Sequence, residues 1–436
     1  MRILVLSNEV WNDKINGNNV TTNWFEGMKA EFANIYASPE APYNTCCEKY
    51  FQITDTMMLN SIIKSVKAGK TLGRIETETG VQESIAESEP KKLYRFLKSI
   101  SGSFLRLVRE LLWLLGKYDV AAMKQFVDEF QPDVIFSERM ASCKMLRLER
   151  IVCSLTDAPI FAFTGDDEYS LKQFSLSPFF WINRFMVRKR LRENVKNYKI
   201  YYTLSLEQKE YYERIFGCQC KILQKCGEFD AEYENHIVHQ PIKLIYAGKF
   251  YCNRWKVLGK IADAIRELNK DDLKMVLEIY TKDVPTKKQN RLLNDGRSAI
   301  IKGAVSQEEL REIYHQADVA LHVESDDLKY RLATRFSFST KIIDCIFSGC
   351  AVMAYCWDQH SGLTYLKRED AGICVSSEQE LKSVLHQICC DMSMICDYSH
   401  KAYLCGQKNH NRQQVQEMLL EDFKKYIATS GGYCKE

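Results

Sequence analysis

The sequence lacks the long apolar runs and the excess charge that mark several large classes of protein. No uncharged apolar stretch reaches the roughly 18 residues that a bilayer-spanning helix needs. The apolar run at residues 3–6 is too short for the core of a signal peptide. Sixty Lys and Arg against 57 Asp and Glu give a net charge of +3, so no global charge attracts nucleic acid. We therefore expect a cytoplasmic protein that does not bind nucleic acid.

Motifs for metal ions and for several cofactors are also absent. The 17 cysteines contain no Cys-x-x-Cys spacing, so we expect reduced, mostly buried thiols and no structural metal ion. No G-x-G-x-x-G follows a candidate strand, and neither H-E-x-x-H nor G-x-S-x-G occurs. The tripeptide at residues 69–71, Gly-Lys-Thr, lacks the earlier glycine of a phosphate-binding P-loop. These absences disfavour a dinucleotide-dependent oxidoreductase, a metalloprotease and an esterase.

What the sequence does contain is an alternation of short apolar runs and helix-like stretches. The chain has 436 residues, of which 46% are hydrophobic, enough for two cores. The alternation restarts after a polar, acidic stretch at residues 227–241, which we interpret as an interdomain connection. We predict an α/β fold with two doubly wound, Rossmann-like domains at 1–230 and 241–410. Residues 411–436 form a C-terminal helix that is a candidate to pack back on the N-terminal domain.

A loop rich in cations follows the first predicted strand of the second half. The strand ends at Gly248, and Lys249, Arg254 and Lys256 come before or at the start of a helix. Glycine permits close approach of the backbone to a ligand, and adjacent cations suit a diphosphate. A solvated strand-to-helix loop explains the same residues, so this pattern alone leaves both interpretations open.

A second segment, residues 335–354, has small hydroxylated residues at the start of a helix and an acid one turn later. Ser339 and Thr340 open the helix, whose free amides can bind phosphate oxygens. Asp344 lies on the same face as Thr340 and can accept hydrogen bonds from a ribose diol. The alternative is that Ser339 only caps the helix and Asp344 only favours its positive end.

The order and spacing of these segments resemble the GT-B glycosyltransferases, specifically the large retaining family that includes bacterial polysaccharide and lipid glycosyltransferases. Between the two segments lie Lys-Gly-Ala-Val-Ser at 302–306 and Ala-Asp at 317–318, and the resemblance covers residues 243–375 well and the first half loosely. It implies two Rossmann-like domains that face each other across a cleft. It also implies transfer of a sugar from a nucleotide diphosphate sugar to a hydroxyl of a saccharide or lipid-linked saccharide. The resemblance further implies that the sugar keeps its anomeric configuration, that no metal ion is needed, and that the chain acts in cell-surface polysaccharide synthesis.

The resemblance also assigns roles to individual residues of the second half. It places Lys249 and Arg254, with Lys256 in reserve, on the donor diphosphate, Ser339 and Thr340 near the phosphates, and Asp344 on the ribose. Phe336 stands where the family has its first glutamate. Because of this departure, a non-catalytic nucleotide-binding or scaffold protein of the same fold stays open as an alternative. A nucleotide-sugar epimerase is a third candidate.

The first half offers candidates for the acceptor side. Asp166 and Asp167 follow an apolar strand and could position or deprotonate an acceptor hydroxyl, although acidic surface turns are common. Gly17 and Asn18 resemble the family's first loop near the bound substrates. Two stretches, residues 91–117 and 184–199, each carry seven basic residues against one acidic residue, interleaved with or just after apolar residues. They predict either ordinary solvated helices or peripheral binding to an anionic membrane surface on its inner face.

Overall fold

The computed structural model describes residues 1–14, 20–72, 102–138, 142–228, 233 and 236–430. The predicted residues Gly17 and Asn18, and the first part of the basic stretch at 91–117, lie outside these ranges. The chain forms two compact units. Unit 1 consists of Met1–Leu171, Ser175–Leu223 and Gln416–Glu436, and unit 2 consists of Lys172–Phe174 and Gln224–Val415.

Unit 1 is built on a mainly parallel sheet of eight strands in the order β4-β3-β2-β1-β5-β6-β7-β8. The strands are β1 (Arg2–Ser7), β2 (Glu31–Tyr36), β3 (Cys47–Gln52), β4 (Lys70–Leu72), β5 (Val134–Glu138), β6 (Ile160–Thr164), β7 (Tyr198–Thr203) and β8 (Cys220–Ile222). Only the pairing of β4 with β3 is antiparallel. The residues from Ile3 to Leu6 are fully buried, because a parallel strand covered on both faces needs a continuous apolar run.

The helices of unit 1 begin at side-chain caps where the sequence supplies them, such as Ser142 and Ser205. They are α1 (Val20–Phe25), α2 (Asp55–Ile63), α3 (Gly102–Leu115), α4 (Val120–Phe130), α5 (Cys143–Cys153), α6 (Pro178–Asn194) and α7 (Leu206–Phe216).

Unit 2 has a six-stranded, wholly parallel sheet in the order β11-β10-β9-β12-β13-β14. Its strands are β9 (Ile242–Ala247), β10 (Met275–Tyr280), β11 (Ala299–Gly303), β12 (Val319–Val323), β13 (Ala351–Tyr355) and β14 (Ile373–Val375). Its helices are α8 (Arg254–Leu268), α9 (Lys287–Leu293), α10 (Gln307–His315), α11 (Leu328–Thr334), α12 (Thr340–Ile346), α13 (Ser361–Arg368), α14 (Glu378–Cys390) and α15 (Ser393–Asn409). Strand residues such as Leu244, Leu277 and Met353 form its core.

The last helix, α16 (Arg412–Ser430), packs on unit 1 over most of its length. Gln416 donates hydrogen bonds from Nε2 to the carbonyl oxygens of Trp24 at 2.9 Å and Glu26 at 2.8 Å. The ring of Phe423 is fully buried against Phe161, with ring centroids 4.8 Å apart. The final helix therefore completes the core of unit 1.

The strand order reverses once in each sheet. In unit 1 the reversal lies between β1 and β5, and in unit 2 between β9 and β12. Doubly wound sheets bind ligands beyond the carboxyl ends of the strands at such a switch point. The residues that follow these four strands are therefore candidates for ligand binding.

In the described part of the chain, none of the helices combines the length and the apolar character that a membrane span requires. No disulfide joins any of the sixteen cysteines in this described part of the chain.

Candidate functional site

The loop between β9 and α8 in unit 2 is held by hydrogen bonds at both ends. The Tyr246 hydroxyl donates to the carbonyl oxygen of Lys249 at 2.8 Å, and the Phe250 amide donates to Asp283 Oδ2 at 2.6 Å. These bonds fix the backbone around Lys249, whose side chain is exposed. The loop is therefore a defined turn at the switch point of the sheet.

Two consecutive residues with positive φ angles end this loop. Cys252 has φ 56° and Asn253 has φ 62°, directly before Arg254, the first residue of α8. Asparagine visits the left-handed region readily, whereas a cysteine there is strained. Asn253 is held by a hydrogen bond from its Nδ2 to Asp327 Oδ2 at 2.7 Å. Strain of this kind concentrates at functional sites, where the surrounding structure maintains it.

Arg254 forms a two-point ion pair with Glu324, the residue that follows β12. The Nε donates to Glu324 Oε2 at 3.1 Å, and Nη2 donates to Oε1 at 2.5 Å. The two side chains are only 14% and 4% exposed. Burial lowers the pKa of Arg254, but the charge and hydrogen bonds of Glu324 outweigh this effect and raise it. The paired guanidinium is therefore fixed at the switch point between β9 and β12.

Lys341, in the first turn of α12, brings a second cation to the same place. A Cβ atom on Gly248 would collide with Lys341 Nζ and would lie 2.8 Å from the Tyr246 hydroxyl oxygen. Burial, followed by the charge of Arg254, lowers the pKa of Lys341 to about 8. Glycine at position 248 therefore leaves room for a buried ammonium group.

The charges at this switch point do not cancel. Arg254, Lys341 and the exposed Lys249 supply three cations, whereas Glu324 and Asp283 supply two carboxylates. The carboxylate of Asp344 also acts on Lys341, but it forms an ion pair with Lys225. A site with surplus positive charge on partly buried groups favours an anion, since an uncompensated cation is costly away from water. Its chemistry therefore fits a phosphate or diphosphate group.

The other predicted donor residues have partners of their own within unit 2. Lys256 Nζ lies 3.0 Å and 2.9 Å from the two carboxylate oxygens of Asp327, and its side chain is 46% exposed. Asp344 forms an ion pair with Lys225. The contact of Lys256 does not place it with Arg254 and Lys341, whereas Asp344 lies on the same helix as Lys341 and its charge acts on that ammonium. An exposed pair such as Lys256 with Asp327 contributes little to stability, so a ligand can displace it.

Ser339 and Thr340 stand at the start of α12, as the sequence pattern predicts for a helix opening. Ser339 is the N-cap, and its hydroxyl accepts a long hydrogen bond of 3.4 Å from the Lys341 amide. The helix has only seven residues, so its dipole is a small addition to the charge of Lys341.

One group of side chains in the described part of the chain could hold a metal ion. His322, Cys356 and His360 are buried, and their ligand atoms lie within 4.8 Å of one another. However, His360 Nδ1 accepts a hydrogen bond from the Gly362 amide at 3.1 Å. In a neutral ring the proton is then on Nε2. A metal ion at Nε2 would require that proton to leave, and a metal ion at Nδ1 would replace the hydrogen bond that caps the helix. We therefore assign these residues to the core beside Glu324.

In unit 1 the predicted acidic pair has two different environments. Asp167 is buried, forms an ion pair of 3.2 Å with Arg184 Nη2, and accepts the Ser170 amide at 2.8 Å. Asp166 is exposed, and its carbonyl oxygen accepts from Gln208 Nε2 at 2.8 Å. The oxygens of Asp167 shape the loop after β6, and Asp166 is the exposed carboxylate of the pair.

Sequence analysis missed Glu138, which ends β5 at the switch point of unit 1. The Thr21 hydroxyl donates to Glu138 Oε2 at 2.5 Å. Burial raises the pKa of the Glu138 carboxyl, the Thr21 hydrogen bond opposes this, and the charge of Glu9 adds to it. The signal for it was an acid two residues after the apolar run at residues 134–136. A carboxyl with a raised pKa at this place is suited to hydrogen-bonding or proton transfer with a ligand hydroxyl.

Comparison with solved structures identifies the fold. The chain is similar to sucrose-phosphate synthase from Thermosynechococcus elongatus, with 14% identity and a TM-score of 0.59 over 98% of this chain and 100% of that chain. It is similar to Anabaena HepE in complex with UDP, with 11% identity and a TM-score of 0.60 over 98% and 100%. It is also similar to the UDP-forming α,α-trehalose-phosphate synthase of Burkholderia vietnamiensis, with 10% identity and a TM-score of 0.56 over 98% and 100%.

No protein-family model matches the sequence, and no curated protein matches it either. The similarity to solved structures nevertheless extends over nearly the whole chain and both units. It agrees with the two parallel-sheet α/β units and their strand orders. The predicted fold class is confirmed: the chain has the GT-B fold, with two Rossmann-like α/β units.

Proposed function

We propose that this chain is a glycosyltransferase that moves a sugar from a nucleotide diphosphate sugar to a hydroxyl of a saccharide or lipid-linked saccharide. The observation that carries the proposal is the pair of partly buried cations, Arg254 and Lys341, at the switch point of unit 2. Structural neighbours that were solved with UDP or UDP-glucose support a nucleotide sugar as the donor. Cell-surface polysaccharide synthesis is the role that the resemblance implies.

The two cations would act on the leaving group. When the bond between the sugar and the diphosphate breaks, negative charge grows on the diphosphate oxygens. Arg254 and Lys341 are in place before that charge develops, and such fixed groups stabilise a transition state at little reorganisation cost. Lys249 is exposed next to them and can add a third contact. Because protein cations neutralise the diphosphate, the proposed reaction needs no metal ion.

The same proposal includes contacts to the rest of the donor and to the acceptor. Asp344 holds the ribose, and Ser339 and Thr340 lie near the phosphates. The acceptor hydroxyl must lose its proton as the new glycosidic bond forms, and Asp166 and Glu138 are the carboxyls of unit 1 that suit this step. Retention of configuration follows from the family resemblance.

A ligand screen with a turnover assay tests the proposal. We expect UDP, GDP or ADP to raise the melting temperature of the protein, because a ligand that binds only the folded state stabilises it. The corresponding nucleotide sugar should then release nucleotide only when a saccharide or lipid-linked acceptor is present. Binding without turnover would instead support the scaffold interpretation. Conversion of the donor without an acceptor would support an epimerase. No thermal shift with any of the three nucleotides would contradict the proposal.

The pH dependence of binding should report on Lys341. Its pKa of about 8 means that the ammonium, which attracts the diphosphate, is lost as the pH rises through that value. Affinity for the nucleotide diphosphate should therefore fall above about pH 8 in the wild type. In Lys341→Arg the side chain stays charged at alkaline pH, so the fall in affinity above about pH 8 should disappear. Ionisation of the ligand affects the wild type and the variant equally. Isothermal titration between neutral and alkaline pH measures both curves, and identical curves would exclude Lys341 from the site.

A further inference from the structure

The segment between β12 and β13 is basic over most of its length. Residues 328–343 contain four basic residues and no acidic residue, whereas the whole chain has 60 basic and 57 acidic residues. The four are Lys329 and Arg331 of α11, Arg335 directly after that helix, and Lys341 of α12. Lys341 already belongs to the proposed diphosphate site. The segment therefore carries more positive charge than that site uses.

Hydrogen bonds on both sides hold α11 at the carboxyl end of β12. Before the helix, Asp327 Oδ2 accepts a hydrogen bond of 2.7 Å from Asn253 Nδ2, at the end of the loop after β9. After the helix, the carbonyl oxygen of Arg335 accepts hydrogen bonds from the amide of Ser361 at 3.2 Å and from its hydroxyl at 2.8 Å. Ser361 starts α13, which follows β13. Because β12 lies between β9 and β13 in the sheet, α11 lies at the same edge as the proposed diphosphate site.

Arg331 is a partly buried arginine of this helix. Its Cζ atom lies 5.3 Å from the ring centroid of Trp357, which lies just beyond the end of β13. A guanidinium over an aromatic face is attracted to it, so the ring helps to orient the side chain. The Nε atom is shielded from solvent and has no hydrogen-bond partner among the residues that the structure describes. A buried donor without an acceptor costs free energy, which a ligand that supplies the acceptor would recover.

The acidic residues at the start of α11 do not neutralise Arg331. Asp326 forms an ion pair with Lys260 at 2.7 Å, and Asp327 forms one with Lys256 at 2.9 Å. In the described part of the chain, no carboxylate forms an ion pair with Arg331. Its positive charge is therefore available to an anionic group of a ligand.

We propose that the sugar of the donor carries a carboxylate, as in a nucleotide-activated uronic acid, and that Arg331 binds this carboxylate. The inference rests on the proposed function. Arg254, Lys341 and Lys249 are the cations for the diphosphate, and the nucleoside is uncharged at neutral pH. A further anionic group on the donor therefore belongs to the sugar. Guanidinium groups bind carboxylates through two parallel hydrogen bonds, which the hydroxymethyl group of a neutral hexose cannot accept in the same way.

Pairs of donors that differ only at C6 of the sugar test the inference. The pairs are UDP-glucuronic acid with UDP-glucose, UDP-galacturonic acid with UDP-galactose, and the corresponding GDP and ADP compounds. In each pair that binds, the acid should bind roughly ten- to a hundredfold more tightly, the gain expected from a charge-assisted contact. Isothermal titration without an acceptor measures the affinities. Equal affinities within every pair, or tighter binding of the neutral sugars, would overturn the inference.

Variants of α11 show whether Arg331 is the source of this preference. Arg331→Met should remove it and leave the affinities for the free nucleotide diphosphate and the neutral donor unchanged, and Arg331→Lys should recover part of it. Lys329→Met is the matched control, because it removes the same charge from an exposed position of the same helix, and it should keep the preference. Equal losses of preference in Lys329→Met and Arg331→Met would show an effect of net charge alone. Equal weakening of all ligands by Arg331→Met would place Arg331 on the diphosphate, and either result would contradict the proposal.

Thermal melting without ligand separates a ligand contact from a structural role. Because Arg331 has no ion-pair partner among the described residues, Arg331→Met should keep the melting temperature of the wild type. A lower melting temperature with weaker binding of every ligand would show that Arg331 supports the fold instead. Failure of the proposed function gives a different result, since neither the donors nor the free nucleotide diphosphates would then bind. A protein that binds and transfers neutral sugars as well as acidic ones would keep the proposed function and overturn this inference alone.

Discussion

Replacing Arg254 with lysine should weaken binding of a nucleotide diphosphate by roughly ten- to a hundredfold, the loss expected for a charge-assisted hydrogen bond. Lysine keeps the charge but cannot reproduce the two-point contact with Glu324. Arg254→Met should have a larger effect and should also lower the free energy of unfolding by about 3 to 5 kcal/mol, because it leaves a buried carboxylate without its cation. Isothermal titration and chemical denaturation measure the two effects separately.

A second substitution separates the loss of binding from the loss of stability. In Arg254→Met/Glu324→Gln the buried charge is gone, so most of the stability should return while binding stays weak. Lys260→Met is the control on the same helix, because Lys260 forms partly exposed pairs with Asp326 and Glu378. It should bind the nucleotide normally. If the double variant binds as tightly as the wild type, Arg254 is not part of a diphosphate site.

A substitution at Gly248 should act through Lys341. Gly248→Ala adds a Cβ atom where the ammonium of Lys341 lies, so it should displace that group and weaken nucleotide binding about as much as Lys341→Ala does. The two changes should be strongly non-additive, because after Lys341→Ala the methyl group at position 248 has no ammonium to displace. Titration of the single and double variants gives the coupling free energy, which we expect to be about 1 to 3 kcal/mol.

The melting temperatures of the same proteins provide a further check. Burial lowers the pKa of Lys341, so its charged form costs stability at neutral pH. Lys341→Ala should therefore keep or raise the melting temperature while it loses affinity for the nucleotide. Gly102→Ala is the control for a glycine substitution, since nothing lies within 4 Å of its added Cβ. Additive effects of Gly248→Ala and Lys341→Ala would show that Gly248 acts in another way.

The order of elements could be predicted because it depends on local patterns. Short apolar runs before loops and helix-like stretches indicated parallel strands such as β1 and β9. The sequence also predicts Arg254 as a donor-site residue, since it follows a strand and a glycine within a short distance, and this role stays a prediction. The predicted roles of Asp344, Ser339 and Thr340 stay predictions.

The partners of Arg254 could not be predicted in the same way. Glu324 lies 70 residues away, and it meets Arg254 only because β12 pairs with β9 at the reversal of strand order. Lys341 was visible in the helix opening, but its burial depends on the space that Gly248 leaves. In unit 1, Asp167 resembled Asp166 in sequence, but Asp167 is buried, pairs with Arg184 and accepts the Ser170 amide, whereas Asp166 is exposed. Contacts between distant segments determine which charged residues are buried. The spacing of residues along the sequence does not reveal these contacts.

The return of α16 to unit 1 has a consequence for biosynthesis. Phe423 fills the core beside Phe161, yet the ribosome makes this helix only after the whole of unit 2. We therefore expect nascent unit 1 to keep part of its apolar surface uncovered until α16 is made, whereas unit 2 can already complete its own sheet. We therefore expect unit 1 to finish folding after unit 2, and we expect a chain that ends before α16 to be prone to aggregation.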